Sequence, residues 1–185
     1  MFDLATAKTR LNIVGAVQDA EIQAALDASL AIAEAYCKRR FKYSSETESV
    51  YHDSKGYLFL ERYPIDHVTT ITAEDHNAVK YKINKTAGYL DLHGRYSFEQ
   101  VDVVYTGGYK VLPDDLIVAL WAIFDGVWKS QTGGDGTVGA IESVSLTGVG
   151  TVRMGSGNSG IAGVSSGAIP DLATAILSNY KRWLA

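Results

Sequence analysis

The fold is decided by two neighbouring stretches, Val103-Val104-Tyr105-Thr106-Gly107-Gly108-Tyr109 and Leu112-Pro113-Asp114-Asp115-Leu116. The first is β-branched and aromatic and closes on paired glycines, which is typical of a strand that ends in a turn. In the second, Pro113 suits the first turn of a helix, where a missing N–H costs nothing, and the two carboxylates complement the helix dipole. The positions that follow predict a nearly apolar core helix: Leu116, Leu120, Ile123, Phe124, Val127 and Trp128.

Upstream of this turn, residues 47–106 follow a period of two. The apolar positions are rich in Val, Ile, Thr and Tyr, and Gly, Pro, Asn and Asp separate the runs. A spacing of about ten residues favours an antiparallel meander or a small sandwich. The predicted strands are Ser49–His52, Tyr57–Glu61, His67–Ala73, Lys80–Asn84, Tyr89–Leu92 and Val101–Tyr105.

The first 43 residues predict two helices. Asp3 is suited to cap a short helix that stops near Gly15, and Asp19 to cap a longer one. In the longer helix, spacing of three and four residues marks one buried face, formed by Ile22, Leu26, Ser29, Ala33, Tyr36 and Cys37. The basic run 38–40 complements the helix dipole at its end, and we interpret it as a solvated helix end.

Residues 133–168 differ in composition from the rest of the chain. They hold 11 of the 18 glycines, and Arg153 is their one basic residue. Residues 141–146 and 151–153 alternate like strands, whereas 155–167 reads as a flexible loop. Because so much glycine is costly to order, we expect this arm to gain structure only when something pairs with it.

The chain end repeats the proline-aspartate helix start at Pro170-Asp171. It predicts a helix of about fifteen residues, which is marginal in isolation and must therefore pack against something. Tyrosine, tryptophan and arginine at its end are residue types enriched at interface hot spots. The alternative is that this helix folds back on its own core, with Trp183 and Leu184 as core residues.

Length and composition limit the class of protein. With 185 residues and 46% hydrophobic content, the chain can bury a core, and we expect a body at 1–132 and an arm with a docking helix at 133–185. A net charge of −4 argues against a dedicated nucleic-acid binder. The single cysteine, Cys37, forms no intrachain disulfide, and neither a signal peptide nor a membrane span is evident. We therefore expect folding in a reducing cytoplasm.

Motifs for catalysis or cofactor binding are weak. Gly155–Gly160 matches GxGxxG but lacks the helix and the strand context that a dinucleotide needs, and Gly133–Thr137 lacks the Lys-Ser/Thr of a phosphate loop. His67 follows Asp66 and could be polarised by it, but no metal-ligand spacing links the histidines, which are His52, His67, His76 and His93. We expect no enzymatic activity, no cofactor and no metal site.

The order of motifs along the chain is more specific than any one of them. In sequence these motifs are Tyr36-Cys37-Lys38-Arg39-Arg40-Phe41, Leu58-Phe59-Leu60-Glu61-Arg62-Tyr63-Pro64-Ile65, His67-Val68-Thr69-Thr70-Ile71, the two stretches quoted first, Ile141-Glu142-Ser143-Val144 and Ile176-Leu177-Ser178-Asn179-Tyr180-Lys181-Arg182-Trp183. In this order the chain resembles, over nearly its whole length, the head–tail connector (adaptor or head-completion) proteins of tailed bacteriophages. The segment between Ile141 and Pro170 is longer and richer in glycine than the family pattern.

The resemblance implies an α+β fold, with a helical bundle beside a small β part and a C-terminal arm ending in a helix. It implies a ring of subunits, commonly twelvefold, beneath the portal protein. Such a ring extends the DNA channel, through which DNA passes without specific binding, and docks the tail or a further head-completion (stopper) protein. It implies no enzymatic activity and no membrane partner. The protein would belong to the virion, at the head–tail interface, after assembly in the host cytoplasm.

The resemblance also assigns sites at the C-terminal end. Portal docking is implied for Leu172, Ile176, Leu177, Tyr180, Lys181, Arg182, Trp183 and Leu184. Contacts of the arm with a neighbouring subunit are implied for Ile141, Val144, Leu146, Val152 and Arg153. Two alternatives stay open: a tail-completion or terminator-type ring protein, and a small hydrolase or ligand-binding β domain with a cleft near Gly133–Gly167.

Overall fold

The computed structural model describes residues 1–51, 56–73, 80–92, 100–132 and 169–182. Within these ranges two helices, six strands and two further helices follow one another, so the predicted α+β class is confirmed. The elements are α1 Leu4–Leu11, α2 Asp19–Cys37, β1 Ser44–Tyr51, β2 Tyr57–Phe59, β3 Ile65–Ala73, β4 Tyr81–Asn84, β5 Tyr89–Leu92, β6 Gln100–Gly107, α3 Asp114–Gln131 and α4 Asp171–Ser178.

The chain divides into two compact units. The helical unit consists of Met1–Cys37 and Asp114–Lys181, and the β unit consists of Lys38–Pro113 with Arg182 at the end of the described chain. The helical unit is therefore made from the two ends of the sequence, and the β unit is inserted between them. The predicted arm at 133–168 lies outside the described residues.

Helix α1 begins as predicted at Asp3, whose carboxylate accepts a hydrogen bond from the Thr6 N–H at 2.8 Å. It ends at Asn12, which adopts the left-handed conformation with φ of 55°. Asp19 was expected to cap α2, but it is the first helical residue. Its carboxylate lies 2.6 Å from the Lys8 Nζ, so it pairs with α1 as well as with the dipole of its own helix.

The core of the helical unit forms where α1, α2 and α3 meet. Phe2 meets Trp121 edge to face with ring centroids 4.8 Å apart, and Trp121 meets Phe124 in the same way at 5.3 Å. The apolar pattern of α3 predicted its buried face correctly. The fully buried residues of that helix are Leu116, Ala119, Leu120, Ile123 and Phe124.

The β unit contains two antiparallel three-stranded sheets, in the orders β1-β6-β3 and β2-β5-β4. Val50 lies opposite Val101 in the first sheet, and Leu58 lies opposite Leu90 in the second. Both sheets contribute to one core, so the unit is a small sandwich rather than a meander. Its fully buried members include Leu58, Leu60, Leu90, Val101, Val103 and Tyr105.

The glycine pair after β6 is required by close backbone approach. A Cβ on Gly107 would lie 2.5 Å from the carbonyl oxygen of Arg62, and a Cβ on Gly108 would lie 2.5 Å from that of Lys42. Gly108 also has φ of +93°, a conformation that side chains disfavour. At the predicted turn, the backbone of Gly107 and Gly108 therefore packs closely against two other segments, at Arg62 and at Lys42.

The interpretation of residues 38–40 as a solvated helix end is wrong for Arg39. The chain leaves α2 at Lys38 with φ of 52°, which turns Arg39 inward until its side chain is 6% exposed. The guanidinium carbon lies 3.5 Å from the ring centroid of Tyr63, and the group donates a hydrogen bond to the Tyr63 carbonyl. Two further rings, Phe41 and Tyr109, lie at 5.2 and 5.4 Å.

Candidate interaction site at the C-terminal end

Helix α4 is shorter than predicted: it has eight residues instead of about fifteen and ends at Ser178. The Ser178 hydroxyl donates to the Ala175 carbonyl at 2.7 Å. The N–H groups that follow donate to the carbonyl three residues earlier instead of four, as the Asn179 N–H does to the Ile176 carbonyl at 3.1 Å. Serine and asparagine compete with the backbone for such bonds, which favours a helix end. The chain beyond Ser178 therefore continues as a turn.

One face of α4 is buried within the helical unit. Ala173 and Leu177 are fully buried, and α4 packs on both α3 and α2. The Leu177 carbonyl accepts a hydrogen bond from the Cys37 thiol, with the two heavy atoms 3.5 Å apart. Leu177 is therefore a core residue, as expected in the alternative in which the last helix folds back on its own chain.

The opposite face of α4 is accessible. Leu172 is 59% exposed, although it is a large apolar residue in the first turn, and Ile176 is half-buried. The residues expected to dock a portal therefore lie on two different faces of α4. Leu177 lies on the inner, buried face, and Leu172 lies on the outer, exposed face. An outer face of this kind can meet a partner without any change in the inner packing.

The turn after α4 is fastened to the helical unit by polar contacts. The Tyr180 hydroxyl donates to the Asp115 carboxylate at 2.5 Å, and Asp115 also accepts the Leu116 N–H at 2.9 Å. The Lys181 Nζ lies 5.1 Å from the ring centroid of Tyr36. The aspartate that suited the helix dipole in the sequence therefore has a second role, which is to hold the chain end.

Arg182 belongs to the β unit. Its guanidinium carbon lies 5.5 Å from the ring centroid of Phe59, and Phe59 and Tyr57 both lie against the Tyr89 ring, at 5.7 and 5.3 Å. The positive charge of Arg182 also acts on the carboxylate of Glu48. The last described residue is therefore held by an aromatic surface and by an acidic group.

Glu48 is part of a hydrogen-bonded network centred on Tyr105. The buried Tyr105 hydroxyl donates to Glu48 at 2.6 Å and accepts the Arg62 N–H at 3.0 Å, and Glu48 accepts the Glu61 N–H at 3.1 Å. Burial raises the pKa of Glu48, because a charged carboxylate loses hydration, although the bond from Tyr105 opposes that shift. Burial likewise raises the pKa of Tyr105, which stays protonated and keeps donating.

An ion pair lies beside this network. The Arg62 Nε donates to the Glu46 carboxylate at 2.9 Å, and its Nη2 lies 2.7 Å from the same oxygen. A further guanidinium nitrogen donates to the Lys42 carbonyl. Because Arg62 is only 11% exposed, its charge is compensated mainly by this carboxylate and carbonyl. The partners are far apart in sequence, and only the sheet register brings them together.

A second polar cluster surrounds Asp66 on the surface of the β unit. Its carboxylate accepts the Tyr43 hydroxyl at 2.7 Å and lies 3.2 Å from the Lys110 Nζ. The hydrogen bond from Tyr43 is the main reason why the pKa of Asp66 falls to about 2. His67, the histidine considered for polarisation, is 60% exposed with its Nδ1 3.6 Å from a carboxylate that already has two stronger partners. This geometry gives His67 little polarisation.

Several predicted site residues lie outside the described residues. These are Trp183 and Leu184 at the chain end, and Ile141, Val144, Leu146, Val152 and Arg153 of the arm. Within the described ranges, His, Cys, Asp and Glu side chains form no group of three that could hold a metal ion. No helix in those ranges combines the length and apolar character that crossing a bilayer requires.

Comparison with known proteins defines the class further. The sequence model of the head completion protein family matches residues 1–145, most of the chain, whereas no curated protein matches. The chain therefore belongs to the head completion protein family. It is a head–tail structural protein.

Solved structures share the fold. A chain titled as the neck of an empty gene transfer agent particle, computed with C6 symmetry, aligns with a TM-score of 0.64 and 13% identity, covering 98% of this chain and 90% of the other. A chain from the neck of the native particle, computed with C12 symmetry, gives 0.61 and 13% over 100% and 90%. A chain from the virion of the native particle gives 0.58 and 15% over 93% and 81%.

Proposed function

We propose that this protein is a head–tail connector (adaptor) subunit that forms a ring beneath a portal, extends the DNA channel and docks a tail or stopper protein. The observation that carries the proposal is the family match over residues 1–145, together with a fold shared with chains from particle necks computed with C6 and C12 symmetry. The protein acts by position and contact, without catalysis. It assembles in the host cytoplasm and functions in the virion.

The charge of the chain supports passage of DNA rather than specific binding. With 21 acidic against 17 basic residues, the net charge is −4. Phosphate contacts require clustered cations that release counterions, and a net negative surface limits such contacts. A channel subunit with this balance lets DNA slide past.

The placement of α4 refines the docking part of the proposal. Since Leu177 is buried in the helical unit, it holds α4 in place, and the portal meets the outer face with Leu172 and Ile176. Tyr180 and Lys181 directly follow this helix in the chain, and we expect them to dock together with Arg182, Trp183 and Leu184, the next residues of the sequence. Many identical weak contacts around a ring then add to a firm attachment.

The test is to mix the chain with the portal protein of the same genome and measure the mass of the complex by light scattering after gel filtration. We expect an added mass equal to a full ring of subunits. Leu172→Asp should remove most of that added mass, because it places a charge in the docking face. The matched control is Val111→Asp, an apolar residue that is 82% exposed in the β unit and should change nothing.

Two results would contradict this proposal. A portal that elutes alone at every concentration of the folded wild-type chain would exclude the connector function. Equal binding by Leu172→Asp and wild type would exclude the outer face of α4 while leaving the connector function intact.

A further inference from the structure

The negative charge of the chain lies outside the segment that forms the β unit. Residues 38–113 carry 11 of the 17 basic residues and 10 of the 21 acidic ones, which gives this segment a net charge of +1 and the rest of the chain −5. All four histidines also lie in this segment. The β unit is therefore the part of the chain at which a polyanion meets the least repulsion.

Four chain segments meet at the end of the β unit where β3 begins. Ile65 lies opposite Gly107 in the sheet, and its N–H donates to the Lys85 carbonyl at 2.8 Å. This arrangement brings the β4–β5 turn and the segment after β6 to Asp66. The Lys85 Nζ donates to the Asp66 carbonyl at 2.6 Å, and the Lys110 Nζ lies 3.2 Å from the Asp66 carboxylate. From the segment before β1, the Tyr43 hydroxyl donates to the same carboxylate at 2.7 Å.

This Asp66 cluster carries more positive than negative charge. Its one carboxylate pairs with Lys110, whereas the Lys85 ammonium bonds to a neutral carbonyl and has no carboxylate of the described residues within ion-pair distance. The hydrogen bond to Asp66 raises the pKa of Lys110, so that ammonium stays charged. His67, with its Nδ1 3.6 Å from the carboxylate, adds a further positive charge when it is protonated.

The two ammonium groups are accessible although they are held in place. The Lys110 side chain is 65% exposed, and Lys85 is exposed. The Tyr43 ring lies 5.0 Å from the Lys110 Nζ. Fixed side chains lose less conformational entropy when they bind. Lysine ammonium and tyrosine hydroxyl groups are among the donors that proteins use to contact DNA phosphates without reading the bases.

The use of lysine favours a phosphate backbone over an acidic protein surface. Protein carboxylates are matched best by the planar fork of arginine, whereas a lysine ammonium is a point charge that accepts a phosphate from many directions. The arginines that the structure describes in residues 38–113 are engaged within the chain. Arg39 lies on the Tyr63 ring, Arg40 lies 3.8 Å from Glu61, and Arg62 lies 2.7 Å from Glu46.

We infer that Lys85 and Lys110, positioned by Asp66, contact the phosphate backbone of double-stranded DNA. The inference rests on the proposed function, because DNA in a channel runs past every subunit of a ring. It assigns the Asp66 cluster to the surface that faces the DNA. Two lysines displace only about two counterions per subunit, so each contact is weak enough for the DNA to move past.

The test is an NMR titration of the isotope-labelled chain with a short DNA duplex of mixed sequence at several low salt concentrations. We expect the amide shifts to concentrate at residues 43, 66–67, 85 and 110. In Lys85→Gln/Lys110→Gln the affinity should fall by about tenfold, and the slope of log affinity against log salt should fall by about two. The matched control is Lys82→Gln/Lys129→Gln, which removes two exposed lysines elsewhere and should bind as wild type does.

Three outcomes would overturn the inference. In the wild-type chain, which needs no variant, shifts centred outside the Asp66 cluster would place the DNA elsewhere. Equal affinity of the two double variants would show that the two lysines make no phosphate contact. A Lys85→Gln/Lys110→Gln variant that binds DNA as wild type does, but no longer fills a ring on the portal, would assign the cluster to an acidic surface of the neighbouring copy.

Failure of the proposed function is recognised separately, because the DNA titration uses no portal. A wild-type chain that binds the duplex through the Asp66 cluster but never binds the portal would support the inference and refute the connector function. A chain that fills a ring on the portal but gives no shifts with the duplex would refute the inference alone.

Discussion

Replacement of Leu177 by alanine tests whether α4 is an integral part of the helical unit. Leu177 is fully buried, and α4 packs on α3 and α2. The change removes three carbon atoms, worth about 2.4 kcal/mol of transfer free energy, and leaves a cavity that brings Leu→Ala costs to about 2–5 kcal/mol. For a chain of this size, about 3 kcal/mol lowers the unfolding temperature by roughly 6–12 °C.

The assay is thermal unfolding followed by tryptophan fluorescence, because Trp121 and Trp128 lie in α3, on which α4 packs. Leu172→Ala is the matched control, since the same substitution at a residue that is 59% exposed should stay within about 0.5 kcal/mol of wild type. Equal unfolding temperatures for Leu177→Ala and Leu172→Ala would refute the packing of α4. Leu177 would then be available to contact a portal.

Three further predictions concern the β unit. Tyr105→Phe removes one of the two donors to Glu48 and the acceptor of the Arg62 N–H, and should lower the free energy of unfolding by about 1–3 kcal/mol in urea denaturation, whereas an unchanged midpoint would exclude the network. Tyr43→Phe should raise the pKa of Asp66 from about 2 toward 3.8, followed by carbon NMR of the carboxyl group; no movement would show that the hydrogen bond is absent in solution. Arg39→Lys keeps the charge but loses the planar group over the aromatic rings, so we expect about 1–2 kcal/mol of destabilisation by the same denaturation, and wild-type stability would contradict the stacking.

The pH dependence of stability has opposite signs at Asp66 and Glu48. The folded pKa of Asp66 is depressed, so its stabilising contribution is present above about 3.8 and is lost as the pH falls through about 2. The folded pKa of Glu48 is raised, so the folded state binds that proton more tightly, and stability falls as the pH rises through the two pKa values of Glu48. A Glu48→Gln variant should lack the second effect only.

Local signals in the sequence predicted most elements, because each depends on residues a few positions apart. The carboxylate of Asp3 and the proline at 113 mark helix starts, and alternation at 101–105 marks a strand. The apolar spacing of α3 gave its buried face for the same reason. Such signals require no knowledge of which distant segments meet.

What the sequence did not predict depends on long-range pairing. The division into two sheets follows from β6 lying between β1 and β3, and no local pattern specifies that order. The burial of Arg39 follows from a left-handed residue at Lys38 and from rings contributed by distant segments. The hydrogen bond from Tyr105 to Glu48 requires the β1–β6 register, so neither residue is marked by its neighbours.

The sequence predicted the C-terminal helix, but neither its length nor the face that it buries. The sequence indicated a helix after Pro170, and the structure contains it, but Ser178 ends it early and Leu177 faces inward. The period of a helix shows which residues share a face, and it does not show which face meets the chain's own core. That choice depends on the surface offered by α2 and α3.

Cryo-electron microscopy of the chain mixed with the portal protein of the same genome tests the connector function most directly. The account predicts a ring of copies of this chain, matched to the symmetry of the portal and seated on one end of it around an open channel. Particles that show the bare portal, in the presence of an excess of folded chain, would contradict the account.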